Sequence, residues 1–228
     1  MVSQTPPALL QLTRTLPVRP LRALAAARPA PLPTGLPALD ALLSGGLPRS
    51  SITAISGGLS SGALPLALHA LTSAQQADQS PVLIDLPWRF DALAAQRAGV
   101  LLTGLLLVRP ASAPDALSLA YDLLCEGSCG LIVVDADDAA LPGPALRLLR
   151  NAIVRSGSVL VCLTSAEAPV PNADLRLSAA RTGWEMAGGD YYAVRTRVTV
   201  EAGRGFPVGR SAELRFVIDE RAPCWPAS

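Results

Sequence analysis

Eight residues, Gly57 to Leu64, have the glycine spacing of a phosphate-binding loop but lack two of its polar side chains. A working loop reads G-x-x-x-x-G-K-[ST]. Its backbone amides surround the phosphates, its lysine contacts the β- and γ-phosphates, and its hydroxyl ligates Mg²⁺. Ala63 stands at the lysine position and Leu64 at the hydroxyl position, and all 19 Lys+Arg residues of the chain are arginine. The loop therefore keeps the backbone frame of a nucleotide site without its charge or its metal ligand.

An aspartate in a characteristic position accompanies this loop. Asp135 ends the apolar run Leu131–Val134, about 70 residues after the loop, where P-loop proteins carry the Walker B carboxylate that binds Mg²⁺ directly or through water. Asp137 and Asp138 follow, and we interpret them as helix-entry or solvated charges. The predicted site is a vestigial nucleotide pocket without catalytic residues, a metal ion or a resident cofactor, although weak ATP binding stays open. Its residues are Gly57, Gly58, Ser60, Ser61, Gly62 and Asp135.

Composition favours a well-packed intracellular domain over a metalloprotein or a membrane protein. Half of the 228 residues are hydrophobic, 16% are charged and the formal net charge is +1, so the chain as a whole has no electrostatic preference for nucleic acid. The four cysteines, Cys125, Cys129, Cys162 and Cys224, are expected to be reduced structural thiols. His69 is the only histidine and is expected to pack or to lie at the surface. With no signal peptide and no membrane-length apolar run, a cytoplasmic location is expected.

The chain divides into an N-terminal arm and a core. Residues 1–33 are rich in Pro, Ala and Arg, with candidate short helices at Ala8–Leu16 and Leu21–Ala27. We interpret them either as a tether or as a partner-docking segment, because a short helix is marginal alone in water. Residues 34–228 are predicted to form the core domain.

Strand-like and helical patterns alternate from Thr34 onward, which predicts an α/β fold with a doubly wound, mostly parallel sheet. After Asn172, alternating apolar and polar residues predict a C-terminal antiparallel meander that extends the sheet. The predicted strands are Ser51–Ser56, Pro81–Leu86, Gly104–Val108, Gly130–Asp135, Ser158–Thr164, Leu175–Ala179, Tyr191–Val200 and Glu213–Ile218. The predicted helices are Ala63–Ala77, Arg89–Ala98, Pro114–Glu126 and Pro144–Arg155.

The order of these motifs resembles the RecA-type recombinase core. The resemblance begins with the TG…LD element at Thr34–Asp40 and the GGLP turn at Gly45–Pro48. It continues through the strand and loop Ile52–Leu64, through Val82–Asp85 and Leu131–Asp135, and into the meander. It covers roughly Thr34 to Glu220 and implies a RecA-like fold that evolved from an ATPase.

The departures from that family concern catalysis and DNA binding. RecA-like ATPases carry a glutamate after the second strand's aspartate, whereas the stretch Asp85–Arg89 contains none. With Ala63 and Leu64, this removes three of the groups that phosphoryl transfer needs. The connections Ala136–Pro142 and Ser165–Ala173 are shorter than the DNA-binding loops of recombinases, and the second contains no arginine.

Among the non-hydrolysing members of this superfamily, the chain most resembles the ImuA type. This implies an accessory or scaffold role in DNA repair and in SOS-induced translesion synthesis, with RecA and a Y-family-like polymerase homologue as partners and with weak DNA contact at most. A DNA-binding RecA-like module, an ATPase completed in trans by an arginine from another subunit, and a related division inhibitor remain as alternatives. The exposed charges considered for partner or phosphate contact, against an ordinary solvated face, are Arg147, Arg150, Arg155 and Arg204.

Overall fold

A computed structural model describes residues 29–165, 167–168, 170–187 and 190–218, with Ala187 described by its backbone only. The two candidate helices of the N-terminal arm and Cys224 lie outside these residues. In chain order the helices are α1 (Pro37–Leu42), α2 (Ala63–Gln76), α3 (Ala92–Arg97), α4 (Ala113–Glu126) and α5 (Gly143–Ser156), with a 3₁₀ turn at Leu102–Gly104. The strands are β1 (Ser51–Ser56), β2 (Val82–Asp85), β3 (Leu106–Val108), β4 (Leu131–Asp137), β5 (Val159–Thr164), β6 (Leu175–Ala187), β7 (Asp190–Gly203) and β8 (Ser211–Val217).

The described strands form one sheet in the order β3-β2-β4-β5-β1-β6-β7-β8. The pairs from β3 through β6 are parallel, and β6-β7 and β7-β8 are antiparallel. This confirms the predicted mostly parallel sheet with an antiparallel extension. The carboxyl ends of β1, β2, β4 and β5 meet at one edge, and that edge carries the candidate site.

Helices cover both faces of the parallel part of the sheet. On β4, Leu131 and Val133 pack into one apolar cluster with α1, α2 and α3, whereas Ile132 and Val134 pack into a second cluster with α4 and α5. Strands buried on both faces must be apolar at consecutive positions. The continuous apolar runs in the sequence have their explanation in this double coverage.

The meander is buried on one face only. Along β8 the residues alternate between exposed and buried, and the buried ones (Ala212, Leu214 and Phe216) face the sheet interior. His69 of α2 stacks on Phe216, with ring centroids 5.6 Å apart. Of the two positions expected for His69, packed or at the surface, the structure shows the packed one, with His69 partly buried.

Most elements begin or end a few residues away from their predicted bounds, and two of these differences lie at the site. The helix predicted from Arg89 begins at Ala92, because the backbone N–H groups of Arg89 and Phe90 donate to the Asp85 carboxylate and Asp91 caps the helix. Strand β6, predicted to end at Ala179, continues to Ala187. The prediction missed the continuation because residues 180–186 have no buried member and therefore no apolar alternation.

The segment that leads into β1 is part of the packed body. Leu32 pairs with Leu47 through two backbone hydrogen bonds of 2.8 and 2.7 Å, and both side chains are fully buried. Asp40 of α1 accepts hydrogen bonds from the backbone N–H and the hydroxyl of Thr34, both at 2.8 Å. The hydrogen bonds within the TG…LD element therefore stabilise the conformation of the segment that leads into β1.

The three described cysteines are free thiols, as predicted. Cys162 is fully buried in β5, and burial raises the pKa of its thiol to about 12. Cys129 is buried and Cys125 is exposed. Within the described residues, no helix has the length and apolarity required to cross a bilayer.

Candidate functional site

The phosphate-loop segment follows β1 directly, and its last two residues, Ala63 and Leu64, begin α2. Gly62, the residue before the helix, has left-handed backbone with φ of 94°. A Cβ on Gly62 would lie 2.1 Å from Thr196 Oγ1 of β7, and a Cβ on Gly57 would lie 2.8 Å from the Ala179 carbonyl oxygen of β6. Both glycines are therefore required because the β6–β7 hairpin passes directly beside the loop.

Several backbone amides of this loop are already used inside the protein. The Gly57 N–H donates to the Thr164 carbonyl at 2.9 Å, the Ser61 N–H to the Gly58 carbonyl at 3.1 Å, and the Ala63 N–H to Ser61 Oγ at 3.3 Å. Pro65 has no N–H. A phosphate group would meet fewer free donors here than in a working loop.

The loop forms one wall of a cleft of about 260 Å³. Its opposite walls come from the ends of β5, β6, β7 and β8. Ala63 is buried at the position where the motif requires lysine. The side chains around the cleft are mainly hydrocarbon: Leu59, Ala63, Leu64, Pro65, Leu163, Trp184, Val194 and Ile218, with Ser60, Ser61, Arg89 and Thr164 as polar members. A cleft of this chemistry suits an apolar group better than a triphosphate.

Arg89 binds the Walker-type aspartate from the neighbouring strand. Its Nε and Nη2 donate to the two carboxylate oxygens of Asp135, both at 2.8 Å, and its Nη1 donates to Asp137 at 2.9 Å. Asp135 is 1% exposed. Fork-shaped pairing of this kind is the strongest geometry for an arginine and a carboxylate. A divalent ion would have to displace Arg89 or bind beside its positive charge.

The electrostatics of this pair follow from burial and proximity. Burial lowers the pKa of Arg89, but the hydrogen bonds and charges of Asp135 and Asp137 outweigh it, so the pKa of the guanidinium lies above its ordinary value. Burial raises the pKa of Asp135, with Arg89 acting in the opposite direction and the charges of Asp85 and Asp137 acting with burial. The buried carboxylate therefore depends on Arg89 for its charged form.

A second arginine–aspartate pair lies at the end of β2. Asp85 is 1% exposed and accepts from Arg109 Nε at 3.0 Å in addition to the two backbone N–H groups of Arg89 and Phe90. The Arg109 guanidinium lies 5.0 Å from the Trp88 ring centroid. Trp88 is 64% exposed and has a positive φ of 56°, so the turn after β2 is held in an uncommon conformation by the Asp85 contacts.

The sequence-predicted residues are arranged as follows. Gly57, Gly58, Ser60, Ser61 and Gly62 all line the cleft. Asp135 is joined to them only through Arg89, which lines the cleft as well.

The aspartates and helix arginines considered beside them have other contacts. Asp137 was interpreted as helix entry or solvated charge, and that interpretation is wrong, because it lies within β4 and is paired with Arg89. Arg150 is paired with Asp174, and Arg155 approaches the Cys125 thiol.

Two features of the site were missed from the sequence. The sequence places Arg89 only in a stretch without glutamate and at the start of a helix; its contact with Asp135 depends on the pairing of β2 with β4. Trp184 was missed because β6 was predicted to end at Ala179. Among the described residues, no group of three or more His, Cys, Asp and Glu side chains could hold a metal ion.

Fold and site together define an α/β domain built on a phosphate-loop frame, with its Walker-type aspartate bound by an arginine. The family model of the RecA N-terminal domain matches residues 25–147, which is more than half of the chain. The chain belongs to the RecA family.

Curated RecA proteins are similar to this chain over part or most of its length. It is 37% identical to Protein RecA of Chlorobaculum tepidum over 147 aligned positions, and the match covers 55% of this chain and 42% of that protein. It is 28% identical to Protein RecA of Aquifex pyrophilus over 241 aligned residues, covering 89% of this chain and 69% of that protein. With Protein RecA of Symbiobacterium thermophilum it shares 29% identity over 221 residues, covering 80% and 63% of the two chains. The chain therefore spans between about two fifths and two thirds of the length of these relatives.

Proposed function

We propose that this chain is a non-hydrolysing RecA-family protein that serves as an accessory scaffold in DNA repair and damage-induced translesion synthesis, as the ImuA type does. The observation that supports this most strongly is the bidentate Arg89–Asp135 pair combined with Ala63 and Leu64 in the loop. Phosphoryl transfer requires a cation on the β- and γ-phosphates and a metal ion held beside them. Here both positions lack their ligands, and the remaining carboxylate is bound to an internal cation.

The mainly apolar cleft supports the same proposal. A triphosphate in it would lose hydration without gaining ion pairs, and burying charge without partners is costly. The same walls are suited to protein contact, because apolar and aromatic groups are the usual anchors of interfaces. We therefore propose that the chain acts by binding partners, and by resemblance these are RecA and a Y-family-like polymerase homologue.

The proposal is tested by restoring the nucleotide site in steps. The wild-type chain is expected to show neither ATP turnover nor Mg²⁺-dependent binding of a fluorescent ATP analogue. The variant Ala63→Lys should gain nucleotide affinity that is insensitive to Mg²⁺, because position 64 offers no hydroxyl and Arg89 still binds Asp135. Adding Arg89→Ala should make that affinity Mg²⁺-dependent. Adding Arg109→Ala instead is the matched control and should not.

Two outcomes would contradict the proposal. Mg²⁺-dependent turnover by the wild-type chain, alone or as an oligomer, would support an ATPase completed in trans. Failure of the purified chain to bind either RecA or the polymerase homologue from its own genome, with or without nucleotide, would remove the scaffold role. The binding assays should be repeated at two salt concentrations, since contact through DNA would weaken steeply with salt.

A further inference from the structure

Strand β6 has an open edge beside the cleft. Only Leu175–Ser178 pair with β1, whereas the pairing with β7 continues to Ala187. Up to Ala179 the residues of β6 alternate between buried and less buried, but residues 180–186 include no buried residue. Within the described part of the chain, no strand lies on the β1 side of β6 beyond Ser178.

An open strand edge presents unpaired backbone donors and acceptors to any extended polypeptide. Natural proteins block such edges with charges, prolines or bulges. This edge carries two charged residues, Arg181 and Glu185, and two register shifts, one between Arg181 and Gly183 and one between Glu185 and Met186, but it also exposes large apolar side chains. Trp184 is 39% exposed, and Met186 and Tyr191 are each 56% exposed. The edge therefore has unpaired backbone groups and exposed apolar side chains that are available for contact with a partner.

The side chains along the edge define what would bind. The Trp184 and Tyr191 rings are 5.3 Å apart, and the Arg181 guanidinium lies 5.0 Å from the Trp184 ring centroid. Arg181 has no ion-pair partner among the described residues, whereas Arg195 and Arg215 are paired with Glu185 and Arg197 with Glu213. The exposed positive charge beside the aromatic pair is complementary to a carboxylate next to a large apolar residue.

We propose that the β6 edge from Arg181 to Met186 is a docking site for an extended segment of a protein partner, which adds to the sheet as a strand. The segment carries a large apolar side chain that enters the cleft beside Trp184 and a nearby carboxylate that pairs with Arg181. Backbone pairing supplies affinity and the two side chains supply specificity, as in other strand-addition complexes. This inference rests on the proposed scaffold role and assigns it a surface.

The test uses the full chain and a phage-displayed library of random dodecapeptides. Selected sequences should share an Asp or Glu within three residues of a Leu, Phe or Trp. The affinity of one selected synthetic peptide, measured by fluorescence anisotropy, should fall at least about tenfold with Trp184→Ala and with Arg181→Glu, as expected for anchor residues. Hydrogen exchange should slow at the amides of residues 180–186 in the complex.

Two matched controls are available. Tyr121→Ala removes an aromatic side chain that is also 39% exposed, and Arg147→Glu reverses an exposed charge elsewhere. Both should leave the affinity unchanged. Arg181→Glu changes a side chain outside the core, so loss of binding in this variant cannot be ascribed to misfolding if its thermal unfolding matches that of the wild type.

Three results would overturn the docking site. The selected peptides could lack the acidic–apolar pattern, or their affinity could be unaffected by both edge variants. Sedimentation could also show a dimer that Trp184→Ala dissociates, which would make a second copy of the chain the occupant. The two proposals can be tested separately. ATP turnover would contradict the proposed function, and peptide binding could still be measured. If Trp184→Ala and Arg181→Glu both leave peptide binding unchanged and no ATP turnover is found, only this docking site is contradicted.

Discussion

At the residue scale, Arg89 is the side chain that most changes the character of the site. It lies within a turn that holds no catalytic glutamate, and it places a permanent positive charge on Asp135 where a metal ion would bind in an ATPase. Arginine cannot be deprotonated at neutral pH and fits a carboxylate in two-point geometry. The loop thus has alanine at position 63, while a fixed cation lies at Arg89 on another wall of the cleft.

Replacing Arg89 with Ala is expected to destabilise the fold. Asp135 is almost fully buried, and removal of its partner leaves a charge without compensation, which costs about 3 kcal/mol in the free energy of unfolding. Urea unfolding at neutral pH measures this. The control Arg197→Ala breaks an exposed pair with Glu213 and should cost less than about 1 kcal/mol. A combined Arg89→Met and Asp135→Asn variant should recover much of the loss; equal losses in Arg89→Ala and Arg197→Ala would argue against a buried charge pair.

His69 gives the fold a specific dependence on pH. Burial lowers the pKa of His69 below its ordinary value of 6.5, so the unfolded chain takes up a proton before the folded chain does. The contribution of His69 to the free energy of unfolding is therefore fully present above about pH 6.5 and is lost as the pH falls from there toward the folded-state pKa. Since it is the only histidine, the effect can be isolated.

The comparison is between the wild type and His69→Phe, which keeps a ring against Phe216. Thermal unfolding between about pH 7 and pH 5.5 should show a loss of stability in the wild type and a smaller loss in the variant. If stability falls equally with pH in the two proteins, His69 has the same pKa in the folded and unfolded states, and this prediction is wrong. Carboxylates titrate mainly below this range.

At the element scale, the β6–β7 hairpin determines the shape of the loop. It extends past the end of β1 and places Ala179 and Thr196 against Gly57 and Gly62. Thr196 Oγ1 is buried without a hydrogen-bond partner among the described residues, so close packing there takes precedence over satisfaction of a polar group. The hairpin thus fixes the loop on one side while presenting its own open edge on the other.

Substitutions of two loop glycines should therefore differ in how much they lower the stability of the fold. Gly62→Ala places a methyl group against Thr196 in a left-handed backbone and should cost about 3 kcal/mol or more. Gly58→Ala meets no atom within 4 Å and should change stability by less than about 1 kcal/mol. Chemical denaturation of both variants decides the matter. Similar values for the two would show that the hairpin does not confine the loop.

At the scale of the whole molecule, the core on the α2 face extends into the entry segment. Leu32, Leu39 and Leu47 are fully buried and belong to the same apolar cluster as α2 and the meander. The segment that leads into β1 thus contributes to the same core as α2 and the meander. The face with α4 and α5 forms a separate cluster.

Shortening the Leu32 side chain tests whether the segment that leads into β1 is part of the core. Leu32→Ala should lower the free energy of unfolding by 2–5 kcal/mol, the usual range for a buried leucine. Leu101→Ala, at a leucine that is 65% exposed, is the control and should have little effect. Equal, small effects would mean that the segment around Leu32 is only loosely attached.

The sequence by itself determined the class of fold and the residue types that stand at the positions of the phosphate loop. Apolar runs such as Leu131–Val134 have the pattern of strands covered on both faces, and the residue types at 63 and 64 can be read directly. These features depend on local order along the chain. The RecA family assignment follows from the same order.

Only the tertiary structure decided how the site is closed and where it is open. Arg89 and Asp135 are 46 positions apart and meet because β2 and β4 are neighbours, which no local pattern encodes. The open edge of β6 exists because β1 ends where the loop begins while β7 continues, and this depends on the relative lengths of three strands. Local periodicity reports which face of a strand is buried, but pairing across the sheet determines which charges are neutralised and which edges remain free.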